Sequence, residues 1–246
     1  GNCHIYGLLP SRPIPKGFIY GNALAIQLAI KHLNEGNGRL ISEVDGLNNT
    51  CPIRFSASIL DTKFSQEDAF EVVDNVTTIA SGGIARKPCA FVGAIASSVS
   101  QSTAQITGLR GIPQVSQAST NVELDDRGIF KYFARTIPSD EAMAEYLVTF
   151  LYCKLKANYL FVIVQDDPFT KSVMKSLRAA VLRLGLSPTQ PSSTTTLCVE
   201  ERKNKTGPMY VEERMIAEAP DDSKDVNYNV TYKGLLDEAF DALNRS

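Results

Sequence analysis

The stretch from Phe91 to Asp140 constrains the fold of this chain more than any other part of its sequence. The short apolar run at residues 91–95 predicts a buried strand, and a second strand is predicted at residues 114–116. Hydroxyl-bearing side chains follow each strand, and these are Ser97, Ser98, Ser119 and Thr120. Because the carboxyl ends of parallel strands meet at one edge of a sheet, both turns should face the same edge. A helix beginning at the first pair of serines would offer unpaired N–H groups and the positive end of its dipole to an anion such as a carboxylate.

Four short motifs in this stretch resemble the ligand-binding lobe of class C G-protein-coupled receptors, the metabotropic glutamate and GABA-B type. They are SSVS at 97–100, IPQ at 112–114, KYF at 131–133 and PSD at 138–140. The lobe belongs to the wider periplasmic-binding-protein-like type I superfamily, with its two-lobed Venus flytrap architecture. The resemblance extends weakly over most of the chain, and it implies an α/β fold with a parallel sheet flanked by helices in each lobe.

The alternation of strands and helices along the chain independently predicts parallel α/β units. Predicted strands are 4–9, 53–60, 91–95, 114–116, 133–136, 159–165 and 194–199. The helix predicted at 21–33 is apolar almost all round and should be well buried. Later helices are expected to turn inward Val99, Ile106 and Leu109, then Met143, Leu147, Phe150 and Leu151. Residues 200–228 are charged and aperiodic, which is typical of an exposed insertion, and a last helix is predicted at 232–243.

The resemblance divides the chain into two lobes. Residues 1–138 correspond to lobe 1, the ligand-binding lobe, and residues 139–246 to lobe 2. In the family, lobe 2 has several more strands, after which the chain recrosses to complete lobe 1. The second lobe is therefore expected to be partial and truncated, and the fragment should be missing pocket residues.

The charge balance and the hydrophobicity of the chain disfavour binding of nucleic acid and a transmembrane helix. The 25 Lys and Arg residues nearly balance the 27 Asp and Glu residues, giving a net charge of -2, so nucleic acid is not an expected partner. No apolar run approaches the roughly 20 residues that span a bilayer. The chain begins at Gly1 without a methionine or a signal peptide, which favours a mature or trimmed fragment.

Motifs for catalysis, metals and cofactors are missing from the sequence. His4 and His32 lie outside any Cys or carboxylate cluster suited to zinc or to a nucleophile. No phosphate-loop or dinucleotide-binding glycine pattern occurs, and the paired aspartates read as turn residues. No enzymatic activity, metal or cofactor is predicted.

Five N-x-S/T sequons favour a secreted glycoprotein. They are Asn48, Asn75, Asn204, Asn229 and Asn244. The alternative is chance occurrence in a chain rich in serine and threonine.

Five cysteines leave one without a partner inside the chain. Cys3, Cys51 and Cys89 each precede a predicted parallel strand, so they should share the sheet edge opposite the binding edge. A disulfide between Cys51 and Cys89 is favoured, although Cys3, on the strand expected between theirs, competes for either partner. Cys153 and Cys198 read as small buried residues, and five reduced core cysteines remain the alternative.

The resemblance assigns ligand contacts residue by residue. Ser97, with its backbone N–H, and the hydroxyl and N–H of Thr120 would hold an α-carboxylate, with Ser98 and Ser119 beside them. Asp140 matches the acidic contact to the ligand ammonium, a complementary pair. Phe169 matches a tyrosine that stacks on the ligand, and Tyr20 a tyrosine at the head of the first helix.

Each of these positions also has a simpler structural interpretation. Ser97, Ser98 or Asp140 could cap a helix, and Thr120 could close a turn. Phe169 could pack in the interior.

Leu24 bears on the choice of ligand. At this position the glutamate receptors carry an arginine that binds the side-chain carboxylate, and a carboxylate buried against leucine would be costly. A neutral or GABA-like amino acid is therefore expected, unless Arg12 or Lys16 substitutes for the missing cation.

The resulting hypothesis is an extracellular small-ligand-binding domain on the outer side of the cell membrane. Its partners would be an amino-acid-like ligand, the transmembrane region of the same receptor and a second copy or a related chain paired through lobe 1. Alternatives are the solute-binding protein of an amino-acid transporter, the ectodomain of a single-span cyclase-type receptor, an enzyme on a similar α/β fold, and a scaffold whose pocket has decayed.

Overall fold

A computed structural model describes residues 1–11, 16–78, 86–165, 168–188 and 208–216, with only the backbone at 165, 168 and 212–216. The chain divides into two compact units, Gly1–Ile137 and Pro138–Ser246, and the division lies next to the expected lobe boundary. Several predictions concern residues outside the described ranges: the strand at 194–199, the helix at 232–243, Cys198, Arg12, and the sequons at Asn204, Asn229 and Asn244.

The first unit is built on a parallel five-stranded sheet. Its strands are β1 (Asn2–Leu9), β2 (Arg54–Asp61), β3 (Pro88–Val92), β4 (Gln114–Ser116) and β5 (Phe133–Arg135). They lie in the order β2-β1-β3-β4-β5, and all four neighbouring pairs are parallel. The helices are α1 (Lys16–Glu35), α2 (Leu47–Thr50), α3 (Gln66–Thr78) and α4 (Ser97–Leu109). The predicted α/β fold is confirmed, with β3 beginning and ending earlier than the run at 91–95.

The core of the first unit lies between the sheet and helices α3 and α4. Its buried side chains are Tyr6, Leu8, Ala69, Val73, Phe91, Ala94, Val99 and Ile106. The Ser65 hydroxyl accepts the backbone N–H of Asp68 at 3.2 Å and so caps the start of α3. The Asp68 carboxylate instead accepts from Lys63 Nζ at 2.6 Å, so the reciprocal half of a capping box is not formed.

Helix α1 is more exposed than its composition suggests. Among its described side chains only Ile30 is buried, whereas Tyr20 is 67% exposed and Leu24 is also exposed. The prediction of a well-buried helix is wrong, because most of its side chains are exposed in the described part of the chain.

Helix α4 buries a face that hydrophobic periodicity did not indicate. Val99 and Ile106 face inward as predicted, but Leu109 is 88% exposed. The buried face includes a line of hydroxyl side chains, Ser100, Thr103 and Thr107. Because the inward face of α4 includes these hydroxyl residues, Leu109 lies outside it.

A disulfide joins Cys3 to Cys89, with 5.4 Å between the Cα atoms, and Cys51 is a free cysteine. The predicted Cys51–Cys89 pair is therefore wrong. The reason lies in the strand order: β1 is the direct neighbour of β3, whereas Cys51 precedes β2 on the far side of β1. Cys153 is buried, as predicted, and it is also disulfide-bonded, so the alternative of five reduced cysteines is wrong.

The second unit pairs strands β6 (Tyr159–Gln165) and β7 (Tyr210–Ile216) in parallel, with helices α5 (Asp140–Cys153) and α6 (Pro168–Arg183). Strand β7 lies within residues 200–228, where an exposed insertion was predicted. The sequence did not predict this strand, because its charged run at 212–214 interrupts the alternation of apolar and polar residues. Helix α5 buries Ala144, Val148 and Tyr152. Met143, Leu147 and Phe150 are exposed, so the predicted inward face is wrong at these three positions. Leu151 packs against the core, as predicted.

Across the described parts of both units, no helix has the length and apolarity needed to cross a membrane.

Candidate functional site

The first turn of α4 is open at its amino end. Its N-cap residue is Ala96, in an extended conformation, and no side chain in the described ranges makes a capping hydrogen bond. The first N–H groups of an α-helix have no acceptor within the helix and carry the positive end of its dipole. The simpler interpretation of Ser97 or Ser98 as the cap is therefore not supported, and the helix start is chemically suited to an anion.

Ser97 connects the two hydroxyl-bearing turns. It is only 8% exposed, and its Oγ accepts the backbone N–H groups of Thr120 and Asn121, each at 3.2 Å. The turn after β3 and the turn after β4 are thus in direct contact, as the sequence predicted from their common position at the carboxyl edge of the sheet.

The hydroxyl of Thr120 has no partner in the part of the chain that the structure describes, although its oxygen is buried. It does not close a turn; the neighbouring Asn121 does so by accepting the N–H of Glu123 at 2.8 Å. A buried polar atom without a hydrogen bond is costly and calls for an explanation, such as a bound molecule. We call the first turn of α4 together with Thr120 the carboxylate seat.

Ser119 points away from the seat. Its side chain is fully buried, and its hydroxyl lies 2.7 Å from Ser100 Oγ and 3.2 Å from the carbonyl oxygen of Ala94. This corrects the prediction of a ligand contact by Ser119: its hydroxyl is engaged in the interior. Ser98 is half-buried in the first turn of α4, where it remains part of the seat.

A network of buried polar side chains lies next to the seat. Gln114 is fully buried in β4; its Nε2 donates to the carbonyl of Gly93 and to Thr103 Oγ1, both at 2.9 Å. Thr107 Oγ1 donates to Gln114 Oε1 at 3.2 Å, and Ser116 Oγ donates to the carbonyl of Ala94 at 2.7 Å. The network connects α4, β4 and the turn after β3. Sequence reasoning missed its role, although hydroxyl residues at helical spacing in α4 were a usable signal.

The second unit contains two further predicted contacts. Asp140 is buried at the start of α5, where its Oδ2 accepts the hydroxyl of Ser172 on α6 at 2.9 Å. Phe169 is exposed in the first turn of α6, so it is not a core residue of the unit. Tyr20, on α1 of the first unit, is exposed, as is Leu24 one turn later.

Two sequons lie on described helices and are accessible. Asn48 is exposed on α2 and Asn75 is exposed on α3. In the described ranges there is also no group of His, Cys, Asp and Glu side chains arranged to hold a metal ion.

Sequence comparison gives the family to which the chain belongs. Residues 22–204 match the receptor family ligand binding region. The chain belongs to this family, which confirms the resemblance drawn from the motifs at 97–140.

Individual relatives agree with the assignment. The chain is 42% identical over 80 residues to the probable metabotropic glutamate receptor mgl-1 of Caenorhabditis elegans, covering 32% of this chain and 8% of that protein. It is 39% identical over 93 residues to the extracellular calcium-sensing receptor of Homo sapiens, covering 36% and 8%. Metabotropic glutamate receptor 4 of Rattus norvegicus is 37% identical over 81 residues, covering 33% and 9%. The matches therefore span less than a tenth of each receptor.

Among solved structures, the fold is similar to that of an ABC transporter substrate-binding protein from Desulfitobacterium hafniense, with a TM-score of 0.60 and 17% sequence identity. The similarity covers 90% of this chain and 52% of that one. At this identity it supports the fold alone, the periplasmic-binding-protein-like α/β architecture.

Proposed function

We propose that this chain is the extracellular ligand-binding region of a class C type receptor and that it binds a small amino-acid-like molecule. One observation carries the proposal: the uncapped start of α4 lies beside the unpaired hydroxyl of Thr120, with Ser97 hydrogen-bonded between the two turns. Membership of the receptor family and the receptor relatives support it.

The seat suits a carboxylate. In the proposed complex, first-turn N–H groups of α4 and the hydroxyls of Ser98 and Thr120 donate to the two ligand oxygens. Hydrogen bonds to an ionised acceptor are shorter and stronger than neutral ones, and the helix dipole adds favourable potential at the same place. Binding would also satisfy the Thr120 hydroxyl.

Asp140 is the proposed complement to the ligand ammonium. Asp140 has one oxygen engaged by Ser172, and a carboxylate retains further acceptor sites. Phe169 offers an exposed ring to a cation.

Leu24 favours a ligand without a second carboxylate. It is an exposed leucine on α1, and it offers no charge to a distal acid. Of the cations considered as substitutes, Lys16 is the first residue of α1 and is exposed. We assign a neutral or GABA-like amino acid as the ligand class.

The receptor context completes the proposal. The domain would lie on the outer side of the cell membrane, with glycans on Asn48 and Asn75, ahead of a transmembrane region in the same receptor. Pairing through the first unit would give a homodimer or a heterodimer. We assign the chain no enzymatic activity.

Thr120→Val tests the proposal with little effect on the fold, because the hydroxyl that it removes has no partner among the described residues. Calorimetry against glycine, L-alanine, L-glutamate and GABA should show binding of a neutral or GABA-like member by the native protein. Thr120→Val should weaken that binding by about tenfold or more, the loss of one hydrogen bond to a charged group.

Thr78→Val is the matched control. The Thr78 hydroxyl has surface partners in Asp74 and Arg110, so the control removes hydrogen bonds at a distance from the seat and should leave affinity unchanged. Equal affinity of Thr120→Val and the native protein would refute the seat, and no binding of any of the four compounds would contradict the ligand class.

A further inference from the structure

A buried cation lies next to the carboxylate seat without belonging to it. Arg135 is the last residue of β5, paired in register with Ser116 of β4. Its side chain is 10% exposed. A guanidinium is always charged and has five donors, so burying it requires acceptors close by.

The acceptors are the backbone on both sides of Thr120. Arg135 Nη1 donates to the carbonyl oxygen of Asn121 at 2.9 Å and to that of Ser119 at 3.3 Å. Nη2 forms an ion pair with the carboxylate of Asp125. The guanidinium therefore contacts the residues immediately before and after the one whose hydroxyl completes the seat.

One peptide group is held at both of its ends. The carbonyl of Ser119 and the N–H of Thr120 belong to the same planar unit. Its oxygen accepts from Arg135, and its N–H donates to Ser97 Oγ at 3.2 Å. Rotation of this peptide plane would break both hydrogen bonds and leave buried polar groups unpaired.

We propose that Arg135 is a positioning residue for ligand binding: it fixes the orientation of the Ser119–Thr120 peptide group and so keeps Thr120 beside the start of α4. The inference rests on the proposed function. Arg135 acts through the loop and does not touch the ligand. A planar fork suits two carbonyls at once, which a lysine ammonium on a flexible stem does not reproduce.

The test combines a readout in the free protein with one of binding. Hydrogen exchange of individual amides, followed by NMR, should be about five- to tenfold faster at Thr120 and Asn121 in Arg135→Gln, because local opening becomes easier. Arg135→Lys should give a smaller increase. Affinity for glycine and GABA, measured by calorimetry, should fall in the same order. Arg110→Gln, which removes an exposed pair with Asp74, should change none of these values.

Unchanged exchange at Thr120 and Asn121 in Arg135→Gln would overturn the inference. So would an equal increase at the amide of Thr103 in the middle of α4, since that result indicates general destabilisation. Should Arg135→Gln not fold, exchange in Arg135→Lys decides by the same criterion. If the native protein binds neither compound, the proposed ligand class fails, while the exchange rates still decide whether Arg135 orients the loop.

Discussion

The hydroxyl oxygen of Ser97 accepts the backbone N–H of Thr120 at 3.2 Å, across 23 residues of sequence. This hydrogen bond connects the turn after β3 to the turn after β4 before any ligand is bound. A preformed site loses less conformational entropy on binding than one that the ligand must assemble. The carboxylate seat is therefore organised by the fold itself.

Ser97→Ala should weaken both the fold and the ligand interaction. Removal of the hydroxyl leaves the N–H groups of Thr120 and Asn121 without their acceptor, at a cost of about 1–3 kcal/mol in the free energy of unfolding. Urea denaturation measures this cost, and calorimetry should show at least a tenfold loss of affinity for the bound amino acid.

Ser102→Ala is the control on the same helix. Its hydroxyl donates to the carbonyl of Val99, which is already part of the helix, so both measurements should stay close to native. Native affinity in Ser97→Ala would contradict its assignment to the seat.

Gln114→Leu should destabilise the first unit strongly. The substitution removes two hydrogen bonds donated by Gln114 and one that it accepts. The buried carbonyl of Gly93 loses this donor, and the hydroxyls of Thr103 and Thr107 keep only their hydrogen bonds to the backbone of α4. We expect a loss of about 2–4 kcal/mol in the free energy of unfolding. The same substitution at the exposed Gln105 of α4 should change it by less than about 0.5 kcal/mol. Similar values for the two variants would show that the network contributes little.

His4 should make stability depend on pH. Burial lowers the pKa of this imidazole, with a further contribution from the charge of Arg86; its ring nitrogens lie 2.7 Å from Ser56 Oγ and 3.1 Å from Ser58 Oγ. The unfolded chain then binds more protons than the folded one below about pH 6.5, so the free energy of unfolding should fall as pH decreases from there.

Denaturation midpoints between about pH 7 and pH 5 measure this slope. The slope should be smaller in His4→Gln and retained in His32→Gln, which leaves His4 in place. An identical slope in His4→Gln and the native protein would show that other groups cause it.

Replacing Cys3 and Cys89 together by alanine should lower the free energy of unfolding by about 2–5 kcal/mol, because the disulfide closes a long loop and restricts the unfolded chain. The bonded residues are 86 apart in sequence. Cys51→Ser removes the free cysteine and should have little effect. Peptide mapping without reductant should recover a Cys3–Cys89 pair, and a Cys51–Cys89 peptide would instead support the connectivity expected from sequence.

Local pattern was sufficient for much of the fold and for the position of the seat. Strand β4 has the predicted bounds, 114–116, and it lies between Pro113 and a turn rich in hydroxyl residues, both of which limit the length of a strand. The meeting of Ser97 and Thr120 followed from the parallel arrangement, since every strand of such a sheet presents its carboxyl end at the same edge.

Other features depend on packing that no local pattern contains. Ser119 and Thr120 are adjacent hydroxyl residues with different surroundings. The hydroxyl of Ser119 is buried and donates to Ser100 Oγ, whereas the hydroxyl oxygen of Thr120 has no hydrogen-bond partner among the described residues. Leu109 was predicted to lie in the core because hydrophobic periodicity counts only apolar residues. It therefore missed the buried threonines of α4, which belong to the actual inward face. Arg135 carried no motif at all, since its acceptors are backbone carbonyls.

The Cys3–Cys89 bond also determines how the molecule would respond to proteases. Strand β2 and helix α3 both lie between the bonded residues. A single cut anywhere inside this loop leaves the two fragments covalently attached, so a nicked molecule migrates as one band until a reductant is added. Release of the amino-terminal strand requires cleavage and reduction together.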